Sequence, residues 1–217
     1  MSRYDLAVFD LDGTLLDTRE GVLSAVKFTI GELGYEMPDE DTLRSFIGPP
    51  IQDSFARVYG LEGPILQDIA TLFRNFYSTK TLLEAVPYEG ILELFAELSQ
   101  RGIKPAVATY KREDYAITLL KHFGFDRYTD IMFGGDHENK LKKKDIIEKC
   151  IRVGGVSDVS RVVMIGDTDL DAIGAEKVGA DFIGVTYGFG FRTAQDVSLV
   201  RSVGSADTAS ELIKFFD

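Results

Sequence analysis

Short apolar segments alternate with longer amphipathic segments over most of this chain, and no other feature of the sequence restricts its fold as strongly. The apolar segments are brief, rich in β-branched residues and closed by a polar residue or glycine: 6–9, 104–109, 130–134, 161–166 and 181–185. Such segments are typical of parallel strands that are buried on both faces. The segments with a helical period are 90–102, 113–124, 144–155 and 170–180. The alternation predicts an α/β fold, a doubly wound parallel sheet with helices on both faces.

One region departs from this alternation. Between Leu16 and about Leu83 there is no convincing strand pattern. The region contains three helical patterns, near 19–33, 39–47 and 64–79. The second pattern continues weakly past Pro49-Pro50. This pair marks a break, because prolines interrupt a helix. We therefore predict a small all-helical domain inserted after the first strand.

The domain boundaries follow from this insertion. We predict a core domain formed by residues 1–16 and 84–217, and a helical cap domain formed by residues 17–83. The sheet is expected to resume near Tyr88, and the segment 205–217 is expected to form a final capped helix.

The composition restricts the partners and the environment of the chain. Its formal net charge of −11 opposes binding to nucleic acid or to an anionic membrane. No apolar stretch approaches the roughly 20 residues that span a bilayer, and the N-terminal segment does not have the pattern of a signal peptide. The single cysteine, Cys150, cannot form an internal disulfide, which suits a reducing compartment. We expect a cytoplasmic protein that is a monomer or a weak homodimer.

Polar side chains follow three of the predicted strands, where ligands of open parallel sheets bind. They are Asp10, Asp12 and Thr14; Thr109, Tyr110 and Lys111; and Asp167, Thr168, Asp169 and Asp171. Several carboxylates that meet at one edge of a sheet favour Mg²⁺, which prefers oxygen ligands. Lysine and hydroxyl donors beside such an ion suit phosphoryl transfer, in which charge spreads over the phosphate oxygens.

Three segments occur in a fixed order and resemble motifs of a known superfamily. FDLDGTLLDT, VATYK and GDTDLDAIGA resemble the first, second and fourth motifs of the haloacid dehalogenase-like hydrolases. The helical insertion resembles the C1 cap of that superfamily, and FIGPPIQDSF within it resembles phosphoglycolate phosphatase-like members. The resemblance implies a Rossmann-like core. It also implies a Mg²⁺-dependent phosphatase that acts through an aspartyl-phosphate on a small phosphorylated metabolite, such as a phosphoglycolate-like compound, a sugar phosphate or a nucleotide.

The resemblance also implies roles for the acidic residues. Asp10 would be the nucleophile, and Asp12 would act first as general acid and then as general base. Mg²⁺ would be held by Asp10, by the backbone carbonyl of Asp12 and by Asp167, with Asp171 as support or as a ligand through water. Asp169 lies off the motif spacing, and we assign it to the N-terminus of a helix.

Further roles concern the phosphate group and the loop after the first strand. Thr109 and the backbone N–H of Tyr110 would bind phosphate oxygens. Gly13 would permit a close backbone approach, and Thr14 would form a hydrogen bond within the loop.

The third motif of the superfamily is a lysine, and here the sequence leaves alternatives open. Many relatives have a lysine followed by proline, a pair that is absent here. The start of the helix in KKDIIEKCI favours Lys143, with Lys144 as the close alternative and Lys140 or Lys142 behind it.

Substrate-facing residues of the cap domain are expected near the proline pair. Arg44 and the segment 47–50, including Gly48, are the candidates, because the prolines hold a non-helical loop at the end of a helix.

Two alternative functions remain open at this level. A phosphomutase acting on a sugar phosphate keeps both acids of the first motif. A non-catalytic phospho-receiver domain also uses Asp, Thr, Lys and Mg²⁺ on a doubly wound sheet. The receiver is disfavoured because its third strand ends in the phosphorylated Asp, whereas the third predicted strand here ends in Gly134-Gly135.

Overall fold

The computed structural model describes residues 2–138 and 140–217 and divides into two compact units. The core unit comprises the chain up to Asp17 together with Pro87–Asp217, and the cap unit comprises Thr18–Val86. None of the helices in the described part of the chain is long and apolar enough to cross a membrane.

The described part of the chain contains eight strands, and six of them form the parallel main sheet of the core unit. In chain order, the strands are β1 (Leu6–Phe9), β2 (Leu16–Asp17), β3 (Val86–Pro87), β4 (Lys104–Arg112), β5 (Met132–Gly135), β6 (Val162–Gly166), β7 (Asp181–Val185) and β8 (Gly204–Ala206). The main sheet has the order β5-β4-β1-β6-β7-β8, with all its pairs parallel, and β2 pairs with β3 separately. This confirms the predicted doubly wound, Rossmann-like α/β fold.

The helices of the cap unit are α1 (Arg19–Glu32), α2 (Glu40–Arg44), α3 (Ile51–Tyr59) and α4 (Ile65–Phe76), followed by a π-helical turn over Tyr77–Thr81. Those of the core unit are α5 (Ile91–Gln100), α6 (Glu113–His122), α7 (Lys143–Gly154), α8 (Asp169–Val178) and α9 (Ala194–Val197). Short 3₁₀ segments cover Phe125–Arg127, Val159–Arg161 and Ala209–Phe216.

Helices cover both faces of the sheet because side chains alternate along each buried strand. On one face, Leu6 and Val8 of β1 belong to a buried cluster that includes Ile147 of α7. On the other face, the ring of Phe9 lies 4.8 Å from the ring of Phe95 on α5, measured between centroids. The core therefore has two apolar layers that share one central sheet.

The structure corrects the predicted second helix of the cap. The pattern over 39–47 and its continuation form two helices, since α2 ends at Arg44 and α3 begins at Ile51. Proline disfavours a helical conformation in the residue before it and is itself well suited to a helix start. Pro50 accordingly precedes α3 directly, so the proline pair separates the helices.

The structure also differs from the predictions at the β2–β3 pair, at the edge strand β8 and in the C-terminal segment. A two-residue strand, β2, ends the first loop, and its partner β3 does not join the main sheet, which resumes only at Lys104. The edge strand β8 was not predicted, because its sequence Gly-Ser-Ala lacks β-branched residues. The tail is capped as predicted, with the Thr208 hydroxyl accepting the N–H of Glu211, but it is a 3₁₀ segment.

A β-bulge in β4 displaces the residues that follow its buried part. The pairing of β4 with β5 changes register between Ala108 and Arg112, so residues 109–111 leave the regular ladder. Gly134 and Gly135 of β5 make room for the bulge: a Cβ on Gly135 would lie 2.6 Å from the carbonyl oxygen of Tyr110. Two glycines on one strand thus permit the displaced backbone of its neighbour.

We expect Gly134→Ala to lower the free energy of unfolding by about 1–3 kcal/mol, since its Cβ would collide with the Lys111 carbonyl oxygen in a close-packed sheet. Urea denaturation followed by circular dichroism measures this loss. Gly31→Ala is the matched control: it lies within α1 with open space around its Cβ, so it should be neutral or stabilising. Equal stability of Gly134→Ala and the wild type would contradict the close approach.

Candidate active site

The site lies at the carboxyl ends of β1 and β6, which are neighbours in the sheet. Phe9 pairs with Ile165, so Asp10 and Asp167 follow their strands nearly side by side. The Asp10 N–H donates to the Ile165 carbonyl at 2.9 Å, which extends the ladder by one step. Both aspartates are buried. The parallel pairing of the two strands is therefore what brings these distant acids together.

The loop that follows β1 makes a tight turn directly after Asp10. The Leu11 carbonyl accepts the N–H groups of Thr14, Leu15 and Leu16. Gly13 has a φ of +80°, a conformation that L side chains rarely adopt, and a Cβ there would collide with the Asp167 carboxylate. The close backbone approach expected at Gly13 is thus an approach to Asp167.

Three carboxylates converge at this point. One oxygen from each of Asp10, Asp167 and Asp171 lies within 4.8 Å of the others. Asp171 is in the first turn of α8, where its Oδ2 accepts the hydroxyl of Thr168 at 2.7 Å. Oδ2 of Asp167 accepts the N–H of Phe189 at 2.7 Å. These bonds hold the carboxylates in fixed orientations.

The electrostatics of the cluster favour the binding of a cation. Burial raises the pKa of Asp10 to about 7, and the neighbouring Asp171 adds to the rise while Lys143 opposes it. Burial likewise raises the pKa of Asp167 to about 8, with repulsion from Asp171 and Asp10 added. Oδ1 of Asp167 is buried and has no hydrogen-bond partner among the described residues. A divalent cation would satisfy this oxygen and relieve the repulsion, so the residues present fit a metal with oxygen ligands.

Lys143 is the lysine that the structure places among the carboxylates. Its Nζ lies 2.9 Å from Oδ1 of Asp10 and 2.7 Å from Oδ1 of Asp171, and its side chain is only 3% exposed. Burial alone would lower the pKa of Lys143, but Asp10 and Asp171 more than offset this effect and raise it. Gly174 of α8 leaves room for the lysine, since a Cβ there would lie 2.6 Å from Cγ of Lys143.

The other three lysine candidates lie elsewhere. Lys144 is 45% exposed and lies 3.6 Å from Asp145. Lys140 is exposed and pairs with Glu138. Lys142 precedes α7, and its backbone N–H donates to Asp145. Of the four candidate lysines, Lys143 is the one whose ammonium group lies beside the buried carboxylates of Asp10 and Asp171.

A second buried ion pair connects the site to β4. Nζ of Lys111 lies 3.0 Å from Oδ1 of Asp12, and both side chains are 7% exposed. Lys111 is among the polar residues that follow the predicted strand 104–109, but the sequence predicts no role for it. A signal was present, because Thr109 and Lys111 are two residues apart on a strand and such residues share a face.

Two hydroxyl side chains of the predicted site are fully buried. Oγ1 of Thr109 accepts the N–H of Lys111 at 3.1 Å. Oγ1 of Thr14 has no hydrogen-bond partner among the described residues, so the bond predicted within the loop is not formed. The nearby carbonyl groups of Leu11 and Leu16 already accept backbone N–H groups of the same loop.

The candidate residues of the cap unit lie at the end of α2 and in the loop that follows it. Arg44 is the last residue of α2, is half exposed and has its Nη1 3.5 Å from Asp41. Gly48 lies in the loop between α2 and α3 with a φ of +100°. The structure therefore places Arg44 and Gly48 in or beside the short α2–α3 connection of the cap unit.

Comparison with known proteins identifies a family and its members. Residues 7–185 match a family model described as haloacid dehalogenase-like hydrolase. The chain is 35% identical over 189 residues to a 5'-nucleotidase of Pseudomonas aeruginosa, covering 87% of this chain and 85% of that protein. It is 35% identical over 191 residues to a phosphoglycolate phosphatase of Agrobacterium fabrum, covering 85% and 81%. A crystal structure described as a predicted phosphatase from Clostridium acetobutylicum superposes with a TM-score of 0.90 at 31% identity, covering 97% of each chain.

We expect the metal-free protein to lose stability as the pH rises from about 4 to about 8. The raised pKa values of Asp10 and Asp167 mean that the folded state holds protons that the unfolded state has already released. Mg²⁺ should therefore raise the melting temperature more at about pH 8 than at about pH 5, by about 4–8 °C for about 2 kcal/mol of binding. Differential scanning calorimetry with EDTA-treated protein measures both effects.

Two variants test whether the carboxylate cluster is responsible. Asp167→Asn should raise the melting temperature of the metal-free protein at high pH and remove most of the response to Mg²⁺. Asp169→Asn is the control, because Asp169 is an exposed residue in the first turn of α8. An equal response to Mg²⁺ in both variants would contradict the assigned metal ligands.

Proposed function

The chain belongs to the haloacid dehalogenase-like hydrolase family and is a phosphatase, and we propose that it hydrolyses a small-metabolite phosphomonoester with Mg²⁺ through an aspartyl-phosphate on Asp10. One arrangement supports the proposal above all others: the Asp10 carboxylate lies beside Lys143 and among further acids. A nucleophilic carboxylate needs both neighbours. The acids hold a cation for the phosphate, and the ammonium group balances the negative charge that collects during transfer.

Asp10, Asp167 and Asp171 would hold the Mg²⁺, together with the backbone carbonyl of Asp12. When bound, the ion would neutralise charge on the phosphate oxygens and draw the substrate toward a strongly acidic chain. The hydroxyl of Thr109 and the N–H of Tyr110, both at the end of β4, are proposed to bind the remaining phosphate oxygens. The hydroxyl of Thr14, which has no hydrogen-bond partner among the described residues, is a further candidate donor on the same edge of the sheet.

The first step uses Asp10 and Asp12 in different roles. A carboxylate oxygen of Asp10 attacks phosphorus, a new O–P bond forms, and the bond from phosphorus to the leaving oxygen breaks. The carboxyl group of Asp12 gives its proton to that leaving oxygen. In the second step a water attacks the aspartyl-phosphate, Asp12 takes the proton from the water, and Asp10 and inorganic phosphate are released. Lys111, 3.0 Å from Asp12, holds its side chain in place between the two steps.

The substrate is proposed to be a small anion that is not part of a nucleic acid or membrane. Relatives named phosphoglycolate phosphatase and 5'-nucleotidase make phosphoglycolate-like compounds, sugar phosphates and nucleotides the first compounds to test. The formal net charge of −11 favours a small ligand drawn in by a bound cation over a polyanion. Arg44 and Gly48 of the cap unit are proposed to contribute to substrate selection. We also propose a cytoplasmic location and a monomer or weak homodimer.

We expect Asp10→Asn to lower kcat by about 10³-fold or more for every phosphomonoester that the wild type hydrolyses, because an amide is a poor nucleophile. Release of inorganic phosphate from a panel of esters, with Mg²⁺ present, measures the loss. Asp169→Asn should retain wild-type activity, as an exposed acid near the site. If the wild type released phosphate from no ester, the phosphatase proposal would be wrong, whereas an active Asp10→Asn variant would exclude only Asp10 as the nucleophile.

Two adjacent lysines provide a matched pair for the third motif. Lys143→Met should lower kcat/KM by about 10²- to 10³-fold, since it removes a buried positive charge beside the transferring phosphate. Lys144→Met should stay within about twofold of the wild type, since that side chain is exposed and lies near Asp145. Circular dichroism establishes that each variant is folded. Equal losses in the two variants would contradict the assignment of Lys143.

A further inference from the structure

The side chain of Tyr110 has no role in the steps above, which use only its backbone N–H. It lies on the bulged part of β4 and is half-buried. Its hydroxyl accepts the backbone N–H of Lys143 at 3.0 Å. Nζ of Lys143 also lies over the Tyr110 ring, 5.2 Å from the ring centroid. One side chain therefore contacts both ends of the buried lysine.

The hydrogen bond matters because of where Lys143 lies in its helix. Lys143 is the first residue of α7, and the first N–H groups of a helix have no acceptor within the helix. A side chain just before a helix bonds the second or third of these N–H groups, so the first one, that of Lys143, needs an acceptor from elsewhere. The acceptor comes from β4, through the Tyr110 hydroxyl.

The ring contact acts at the other end of the lysine. A cation within about 6 Å of a tyrosine ring centroid is attracted to the ring face, more strongly when it is shielded from water. Nζ of Lys143 is buried and also donates to the Ala108 carbonyl at 3.2 Å. The ammonium group thus has the Tyr110 ring as a neighbour in addition to the carboxylates of Asp10 and Asp171.

We propose that the Tyr110 side chain is a positioning residue for Lys143, with its hydroxyl anchoring the Lys143 backbone and its ring holding the ammonium group toward Asp10. The kinetic consequence rests on the proposed function, but the contacts do not. The segment before α7 has its own support, since Asp136 accepts the N–H groups of Lys140 and Leu141. Loss of the Tyr110 hydroxyl should therefore change the orientation of the Lys143 side chain without unfolding the segment before α7.

The first test concerns the backbone anchor and does not depend on activity. In Tyr110→Phe, amide hydrogen exchange of Lys143 should speed up by about two- to tenfold, the range that one neutral hydrogen bond supports. Neighbouring amides of α7 serve as internal references. Tyr128→Phe is the control variant, because Tyr128 is a half-buried tyrosine of the core unit that packs edge-on against Phe95. Unchanged exchange at Lys143 in Tyr110→Phe would overturn the proposed anchor.

The second test asks whether Tyr110 acts through Lys143. Orthovanadate with Mg²⁺ serves as the probe, and calorimetry measures its Kd in a double-mutant cycle. Tyr110→Phe should weaken vanadate binding about two- to tenfold in the wild-type background, and Tyr110→Leu should weaken it further because the ring is also lost. In the Lys143→Met background, both changes should have almost no effect. The same loss in both backgrounds would overturn the proposal, because Tyr110 would then act on its own.

Kinetics complete the comparison and separate two kinds of failure. Tyr110→Phe should lower kcat for the best ester by about two- to tenfold and change KM less, because the substrate-binding groups remain. If the wild type hydrolysed no ester, the proposed function would fail while the exchange result still stood. If the wild type were active and Tyr110→Phe matched it in exchange, vanadate binding and kcat, only the role of Tyr110 would fail. Lys143→Gln provides a second background if Lys143→Met does not fold.

Discussion

The contact between the Lys143 ammonium group and the buried carboxylates of Asp10 and Asp171 is the interaction on which the core unit depends. Three acids buried together repel one another, and a single ammonium group cannot balance them. The fold tolerates this imbalance because the backbone bonds of Asp167 and the α8 contacts of Asp171 hold the acids in place. Burial and mutual repulsion raise the pKa values of Asp10 and Asp167. A divalent cation bound among the three acids would offset this excess of negative charge.

The sequence predicts the fold well because the signal is local. Each of the buried strands β1, β4 and β6 is an apolar run closed by polar residues, and parallel sheets place such ends on one edge. The sequence therefore predicts that Asp10, Thr109 and Asp167 lie close together at one edge of the sheet. This reasoning fails for β8, whose residues are small and whose pairing depends on β7 alone within the main sheet. It also fails at the proline pair of the cap, where one weak pattern is two helices.

The predicted site is less complete, for reasons that are also physical. Lys143 and Lys144 are adjacent in sequence, so a shift of about 100° around the helix axis decides which of them is buried. A pattern of charged letters cannot show this, although the apolar period of α7 points in the right direction. The ion pair of Lys111 with Asp12 and the bond from Lys143 to the Tyr110 hydroxyl each join residues from separate strands or helices. The contact of Tyr110 also depends on the β4 bulge, which no single stretch of sequence predicts.

The central position of β1 has a consequence for how the protein is made. Of the strands in the main sheet, β1 is synthesised first, yet its two partners are β4 and β6, and Lys143 follows Asp10 by 133 residues. At about 5–20 residues per second, about 7–27 s pass between the synthesis of Asp10 and that of Lys143, and the site cannot assemble before then. The residues of the cap unit emerge directly after β1 and form local helical contacts. The residues of the inserted helices are therefore available to fold before the partners of β1 have been made, whereas the cluster of Asp10, Lys143 and Asp171 can form only after α7 and the start of α8 have been made.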